Sequence, residues 1–186
     1  MSGLRVIGGQ ARGRRLKMVP GDKTRPITDR VKESLFNIIG PGIVGGSFLD
    51  LFAGTGSVGI EALSRGADEA WFVEAHARAL ATIHENLLQV GLADKAQVER
   101  ADVYQFLSRT PPRGFDYVYI APPQYQGLWM SCLQSLDEKP GWVNPDGWVV
   151  AQIDPREYET LDLVQFSEFD QRTYGNTRLV FYERPG

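Results

Sequence analysis

The sequence predicts an α/β protein: an open, mostly parallel sheet with helices on both faces, ending in an antiparallel hairpin. Three observations predict it. From Phe48 onward strand-like and helix-like segments alternate, the pattern of βαβ units. The tail breaks that pattern with two extended runs around the turn signal Tyr174-Gly175-Asn176. The chain's 186 residues, 42% hydrophobic and 23% charged, suit one domain against a prior of about 150 residues per domain.

Leu4 to Ile7 and Arg15 to Val19 are short extended stretches around Gly8-Gly9 and Gly13, an N-terminal hairpin outside the main repeat. Thr28 to Ile39 begins with capping residues and spaces Val31, Leu35, Ile38 and Ile39 as one apolar helix face, ending at Gly40-Pro41. Strands are then expected at Phe48–Phe52, Ala70–Glu74, Gln97–Arg100, Phe115–Ala121 and Trp148–Ile153. Helices fall between them at Val58–Arg65, Ala77–Val90, Val103–Ser108 and Leu128–Leu136. Leu163 to Arg172 and Thr177 to Glu183 form the closing hairpin.

Composition removes several classes. No apolar run approaches the roughly 20 residues of a membrane-spanning helix, and Met1 to Arg5 lacks the apolar stretch of a secretory signal. A single cysteine, Cys132, forms neither an internal disulfide nor a multi-cysteine metal site, so a reducing cytoplasm is expected. His76 and His84 have no partner cluster, and no metal is expected. The tryptophans Trp71, Trp129, Trp142 and Trp148 read as mostly core, with Trp129 the one near the loop after the fourth strand. The net charge of −3 conceals an asymmetry: residues 1 to 33 carry nine Lys/Arg against three acids, whereas the remainder is −9. A basic arm on an acidic body is either a phosphate-backbone grip or a solvated charged hairpin.

Asp50-Leu51-Phe52-Ala53-Gly54-Thr55-Gly56-Ser57-Val58-Gly59 places G-x-G-x-x-G between a strand and a helix, and Glu74 follows Gly54 by 20 residues at the next strand's end. The loop is either a ligand cradle or merely a tight turn. A pyrophosphate would sit poorly beside Asp50, because an acid next to the helix N-terminus repels it. S-adenosylmethionine, which carries an ammonium, a sulfonium and no phosphate, suits Asp50, Glu74 and Asp102 by Coulomb sign. Asp102 itself reads two ways, as an acceptor for the adenine amine or as the N-cap of the helix from Val103.

These residues resemble motif I of class I S-adenosylmethionine-dependent methyltransferases, and nearly the whole chain resembles the RsmD family of 16S rRNA guanine-N2 methyltransferases. The likeness includes Leu4 to Gly9, Arg12-Gly13-Arg14-Arg15-Leu16, Thr24 to Asn37, Glu61 to Ala67, Phe72-Val73-Glu74, Glu85-Asn86-Leu87 and Tyr174 to Thr177. The resemblance implies a Rossmann-like, seven-stranded mostly parallel sheet with the C-terminal antiparallel hairpin and a small N-terminal hairpin/helix extension. It implies residues 1–40 as an RNA-facing extension, 41–186 as the methyltransferase domain, and a cytoplasmic monomer acting on 16S rRNA or the small subunit. Asp50 and the loop Phe52, Ala53, Gly54, Thr55, Gly56 and Gly59 would hold the methionine end of the cofactor. Glu74 with Ala75 would hold its ribose, and Asp102 with Val103 its adenine. Arg12, Arg14, Arg15, Arg25, Arg30 and Lys32 would face RNA.

One segment departs from the pattern. Enzymes that methylate exocyclic amines usually carry Asp or Asn, then Pro-Pro, then an aromatic. Acceptors are needed for the amine N–H groups, and a ring holds the extruded base. Here Ala121 stands for the acid, Pro122-Pro123 remains, Gln124 takes the aromatic position and Tyr125 comes one residue late. Either the Pro-Pro carbonyls with Gln124 or Tyr125 complete the acceptor site, or the protein binds cofactor and RNA without transferring a methyl group. An NAD-dependent oxidoreductase, sharing the glycine loop and Glu74, is the remaining rival.

Overall fold

A computed structural model describes residues 3–23 and 26–186. The chain divides into two compact units, Met1–Ala101 and Asp102–Gly186. In the first, helix α1 (Asp29–Ile39) starts where the Thr28 hydroxyl accepts from the Val31 N–H, and it buries Val31, Leu35, Phe36 and Ile39. Strands β1 (Ser47–Asp50), β2 (Glu69–Glu74) and β3 (Ala96–Arg100) pair in parallel in the order β3-β2-β1. Helix α2 (Ser57–Ser64) joins β1 to β2 and is buried along its entire length. Helix α3 (Ala77–Val90) joins β2 to β3 with one apolar face inward, Ala79, Ile83, Leu87 and Val90, and stops at Gly91.

The N-terminal hairpin is present as one antiparallel bridge, Arg5 to Arg15, flanked by Val6 N–H to Arg14 O and Leu16 N–H to Leu4 O bonds. It is fixed to α2 and α3. Gln10 and Ala11 donate to the Ser64 carbonyl and hydroxyl, and Asn86 both accepts from Lys17 N–H and donates to Lys17 O. Leu4, Val6, Ala11, Leu16 and Val19 are buried, so the extension belongs to the core of this unit while its arginines stay outside.

In the second unit, α4 (Val103–Ser108) precedes β4 (Phe115–Ile120), α5 (Leu128–Glu138), β5 (Val143–Ile153), β6 (Ser167–Tyr174) and β7 (Thr177–Glu183). β4 and β5 are parallel; β7 is antiparallel to both β5 and β6, giving the order β4-β5-β7-β6. The Gly175-Asn176 turn joins the last two strands. Cys132 lies in α5 with no exposure, and burial pushes its thiol well above the ordinary range, so it serves as a core residue. Trp129 and Trp142 are buried as expected, whereas Trp71 and Trp148 are only half-buried.

Among the described residues, seven strands, mostly parallel with a C-terminal antiparallel pair, are the α/β class the sequence predicts. Two strand starts differ by more than one residue. β5 starts at Val143 rather than Trp148, because Asn144 to Gly147 bulge out between the pairs Phe115/Val143 and Tyr117/Trp148. β6 starts at Ser167 rather than Leu163, because the Val164 and Gln165 N–H groups donate to the Asp137 carboxylate instead of a strand partner. Among the described residues no helix is long and apolar enough to cross a membrane.

Candidate cofactor and acceptor sites

The glycine loop leaves β1 at Asp50 and enters α2 through Gly56, whose φ of 81° is a left-handed conformation that glycine adopts without strain. Gly59 is required for a different reason. A Cβ there would lie 2.4 Å from the Phe72 ring, so only glycine lets α2 approach β2 this closely. Gly59→Ala is therefore expected to destabilise the protein by about 1–3 kcal/mol through overpacking, measured by urea unfolding; an unchanged midpoint would contradict the fit.

Two carboxylates frame the loop. Glu74, buried at the end of β2, accepts from the Gly54 N–H through Oε2 at 2.9 Å and from the His76 N–H through Oε1 at 3.2 Å. Asp50 is 2% exposed, and its Oδ1 has no hydrogen-bond partner. Burial pushes its carboxyl up to about 7, the nearby Glu74 charge adds to the rise, and peptide groups of Phe52 and Gly59 oppose it. A buried acid with a vacant acceptor favours a cationic group beside it. The Gly54 N–H, which an anionic ligand would need, is already held by Glu74. Asn86 braces the same loop by donating to Thr55 O at 2.9 Å. The expected loop residues Phe52, Ala53, Gly54, Thr55 and Gly56 thus run from Asp50 to α2, which contains Gly59, and Glu74 reaches the loop through the Gly54 N–H; Ala75 follows Glu74 in an exposed position.

In the second unit Asp102 caps α4, its Oδ1 accepting from Tyr104 and Gln105 N–H groups, with Val103 buried behind it. The N-cap reading of Asp102 is realised, and one oxygen is committed to it. Ala121 and Pro122 are half-buried, whereas Pro123, Gln124 and Tyr125 are exposed. Tyr125 is held by three residues outside the motifs that the sequence presents. Its hydroxyl donates to Asp154 and accepts from Arg156, and its backbone N–H donates to Glu157. Asp154-Pro155-Arg156-Glu157 is a capping box with proline at the first helical position, a signature readable in sequence.

Of the residues expected to face RNA, Arg12, Arg14, Arg15 and Arg30 are exposed, and Arg14 donates to the Gln89 carbonyl. Arg25 lies outside the described residues. Lys32 is a correction. Its side chain has no exposure; Nζ lies 3.3 Å from the Glu61 carboxylate and donates to Ser57 Oγ and Arg5 O. It is a buried counter-ion for Glu61 rather than a phosphate contact. Among the described residues no group of three His, Cys, Asp or Glu is placed to hold a metal.

An α/β chain with an acid-framed glycine loop between β1 and α2 has the form of the Rossmann-like methyltransferases. The chain belongs to the family described as Conserved hypothetical protein 95, whose model matches residues 4–183, and this is the RsmD family that the sequence resembles. It is 41% identical over 186 residues to the "Putative rRNA methyltransferase YlbH" of Bacillus subtilis, covering 98% of this chain and 100% of that one. It is 36% identical over 183 residues to the ribosomal RNA small subunit methyltransferase D of Escherichia coli, covering 97% and 90%. The solved structure of the "Putative methyltransferase yhhF" from Escherichia coli superposes with a TM-score of 0.88 at 31% identity, covering 99% of each chain.

Proposed function

We propose that this protein is an S-adenosylmethionine-dependent methyltransferase acting on the N2 exocyclic amine of a guanosine in small-subunit (16S) rRNA. The observation that carries the cofactor is the buried Asp50 carboxylate with its unpartnered Oδ1, beside a loop whose Gly54 N–H is already taken by Glu74. This set fits an ammonium and disfavours the pyrophosphate of a dinucleotide. When bound, the cofactor supplies an electrophilic methyl group. Asp50 and the loop to Gly59 hold its amino-acid end, Glu74 with Ala75 holds the ribose, and Asp102 with Val103 meets the adenine. Pro122 and Pro123 carbonyls accept from the target amine in place of the side chain missing at Ala121, with Gln124 and Tyr125 flanking them.

The rRNA substrate rests on the relatives, whose names assign them rRNA methylation, and on the exposed arginines of residues 1–40. Those names also weigh against the non-catalytic alternative. Calorimetry with S-adenosylhomocysteine and with NADH, followed by methyl transfer to 16S rRNA and to small subunits, tests the reading. S-adenosylhomocysteine binding with transfer is expected; NADH binding alone refutes it. Replacing Arg12, Arg14 and Arg15 together with Ala should flatten the salt dependence of RNA binding by about 0.7–0.9 for each phosphate left unneutralised. An unaltered slope would remove these residues from the interface.

A further inference from the structure

Tyr125 combines two properties that seldom coincide: a left-handed backbone, with φ of 63°, and an aromatic ring that is 59% exposed. A bulky residue persists in that backbone region only where its surroundings over-determine it, and here three partners do. Asp154, 3% exposed, takes the hydroxyl through Oδ2; Glu157 takes the backbone N–H; Arg156 donates to the hydroxyl and lies with its guanidinium carbon 5.3 Å from the ring centroid. Asp154 is itself fixed, because its Oδ1 accepts from the Arg156 N–H and Nε, and its own N–H donates to Glu157 Oε2. A buried carboxylate spent on an exposed ring adds little to a core. Its effect is to fix where the ring stands.

We propose that Asp154 is a positioning residue for base recognition: with Arg156 and Glu157 it holds Tyr125 as the platform on which the extruded base stacks. This rests on the rRNA methyltransferase reading above. It accounts for the late tyrosine, since with Gln124 in the preceding position the ring must come from the next residue, and the left-handed turn at Tyr125 goes with that shift. The brace does not switch near neutral pH. Arg156 and the Tyr125 hydroxyl hold the Asp154 carboxyl well below the ordinary carboxylate range, and Asp154 in turn holds the Tyr125 phenol above its own.

The test is single-turnover methyl transfer to 16S rRNA and to small subunits at saturating cofactor, by wild type, Asp154→Asn, Tyr125→Phe, the double variant and Tyr125→Ala. S-adenosylhomocysteine affinity and melting are measured alongside. Asp154→Asn and Tyr125→Phe are each expected to slow transfer at saturating RNA by about 10- to 100-fold through misplacement of the ring. Cofactor affinity should be unchanged. The double variant should be no slower than the slower single, since both cut one tether, and Tyr125→Ala should be slowest. Wild-type rates in both single variants, or additive losses in the double, would overturn the proposal while leaving the enzyme reading intact. Tyr125→Phe removes one hydroxyl from an exposed residue, so the test survives even if Asp154→Asn fails to fold. Absence of transfer by wild type to either acceptor would overturn the enzyme reading, and this inference with it.

Discussion

Asp50→Asn is expected to make the cofactor-free protein more stable at pH 8 and at the same time to weaken its hold on the cofactor. In the folded state the carboxyl titrates at about 7 against an ordinary value of 3.8, because burial disfavours its charged form. Below about pH 3.8 the group is neutral in both folded and unfolded chains and no penalty exists. As pH rises the unfolded chain ionises first, so the penalty grows through this window and is complete above about 7, where it amounts to about 4 kcal/mol. An asparagine avoids it, and its amide oxygen still accepts from the peptide groups that serve the carboxylate. The variant's advantage in urea unfolding should therefore be small near pH 4 and large at pH 8. Removing the charge also removes the partner proposed for the cofactor's ammonium. A hydrogen bond to a charged group contributes roughly 1.5–3 kcal/mol, so calorimetry should find S-adenosylhomocysteine bound about 10- to 100-fold more weakly. Equal stability at pH 8 would show that Asp50 is not strained by burial, and unchanged affinity would remove it from the site.

The physical character of each signal explains what is legible in the chain alone. α3 matches its expected span because its apolar spacing is periodic and Gly91 marks its C-terminal end, and the loop from Asp50 to Gly59 is legible because its chemistry is contiguous. β5 and β6 start away from their expected positions because a bulge at Asn144–Gly147 and a carboxylate, Asp137, capture backbone groups by contacts that no periodicity records. Lys32 reads as a solvent-facing cation because its partner Glu61 stands 29 positions away, beyond any local pattern. Tyr125 reads as the ring of the acceptor loop, but its restraints lie on the far side of β5 in sequence. In each case the hidden feature is a long-range polar contact, and such contacts decide where the candidate site's side chains stand.

Glu61→Ala is expected to be among the most damaging substitutions in the chain. The carboxylate is fully buried in α2 and serves four donors: Lys32 at 3.3 Å, Arg65 Nε at 2.7 Å, and the N–H groups of Ile7 and Gly8 at 2.9 Å each. Burial pulls the Lys32 pKa down while the Glu61 charge, and after it that of Asp29, holds it up, so losing the carboxylate leaves a buried cation with the Ser57 hydroxyl, the Arg5 carbonyl and the Asp29 charge. Breaking a buried pair from one side typically costs about 3–5 kcal/mol, and here two peptide N–H groups lose their acceptor as well. Lys32→Met is expected to be milder, because Glu61 keeps Arg65 and both backbone donors. In the double variant Lys32→Met/Glu61→Leu, part of the Glu61→Ala loss should be recovered, since no unpaired ammonium remains. Because the Ile7 and Gly8 N–H groups are tethered to this carboxylate, limited proteolysis of Glu61→Ala should cut first within residues 3–19. Urea unfolding of the three variants measures the coupling. If Glu61→Ala unfolds within about 1 kcal/mol of wild type, well below the cost expected of a broken buried pair, the carboxylate does not anchor the N-terminal extension.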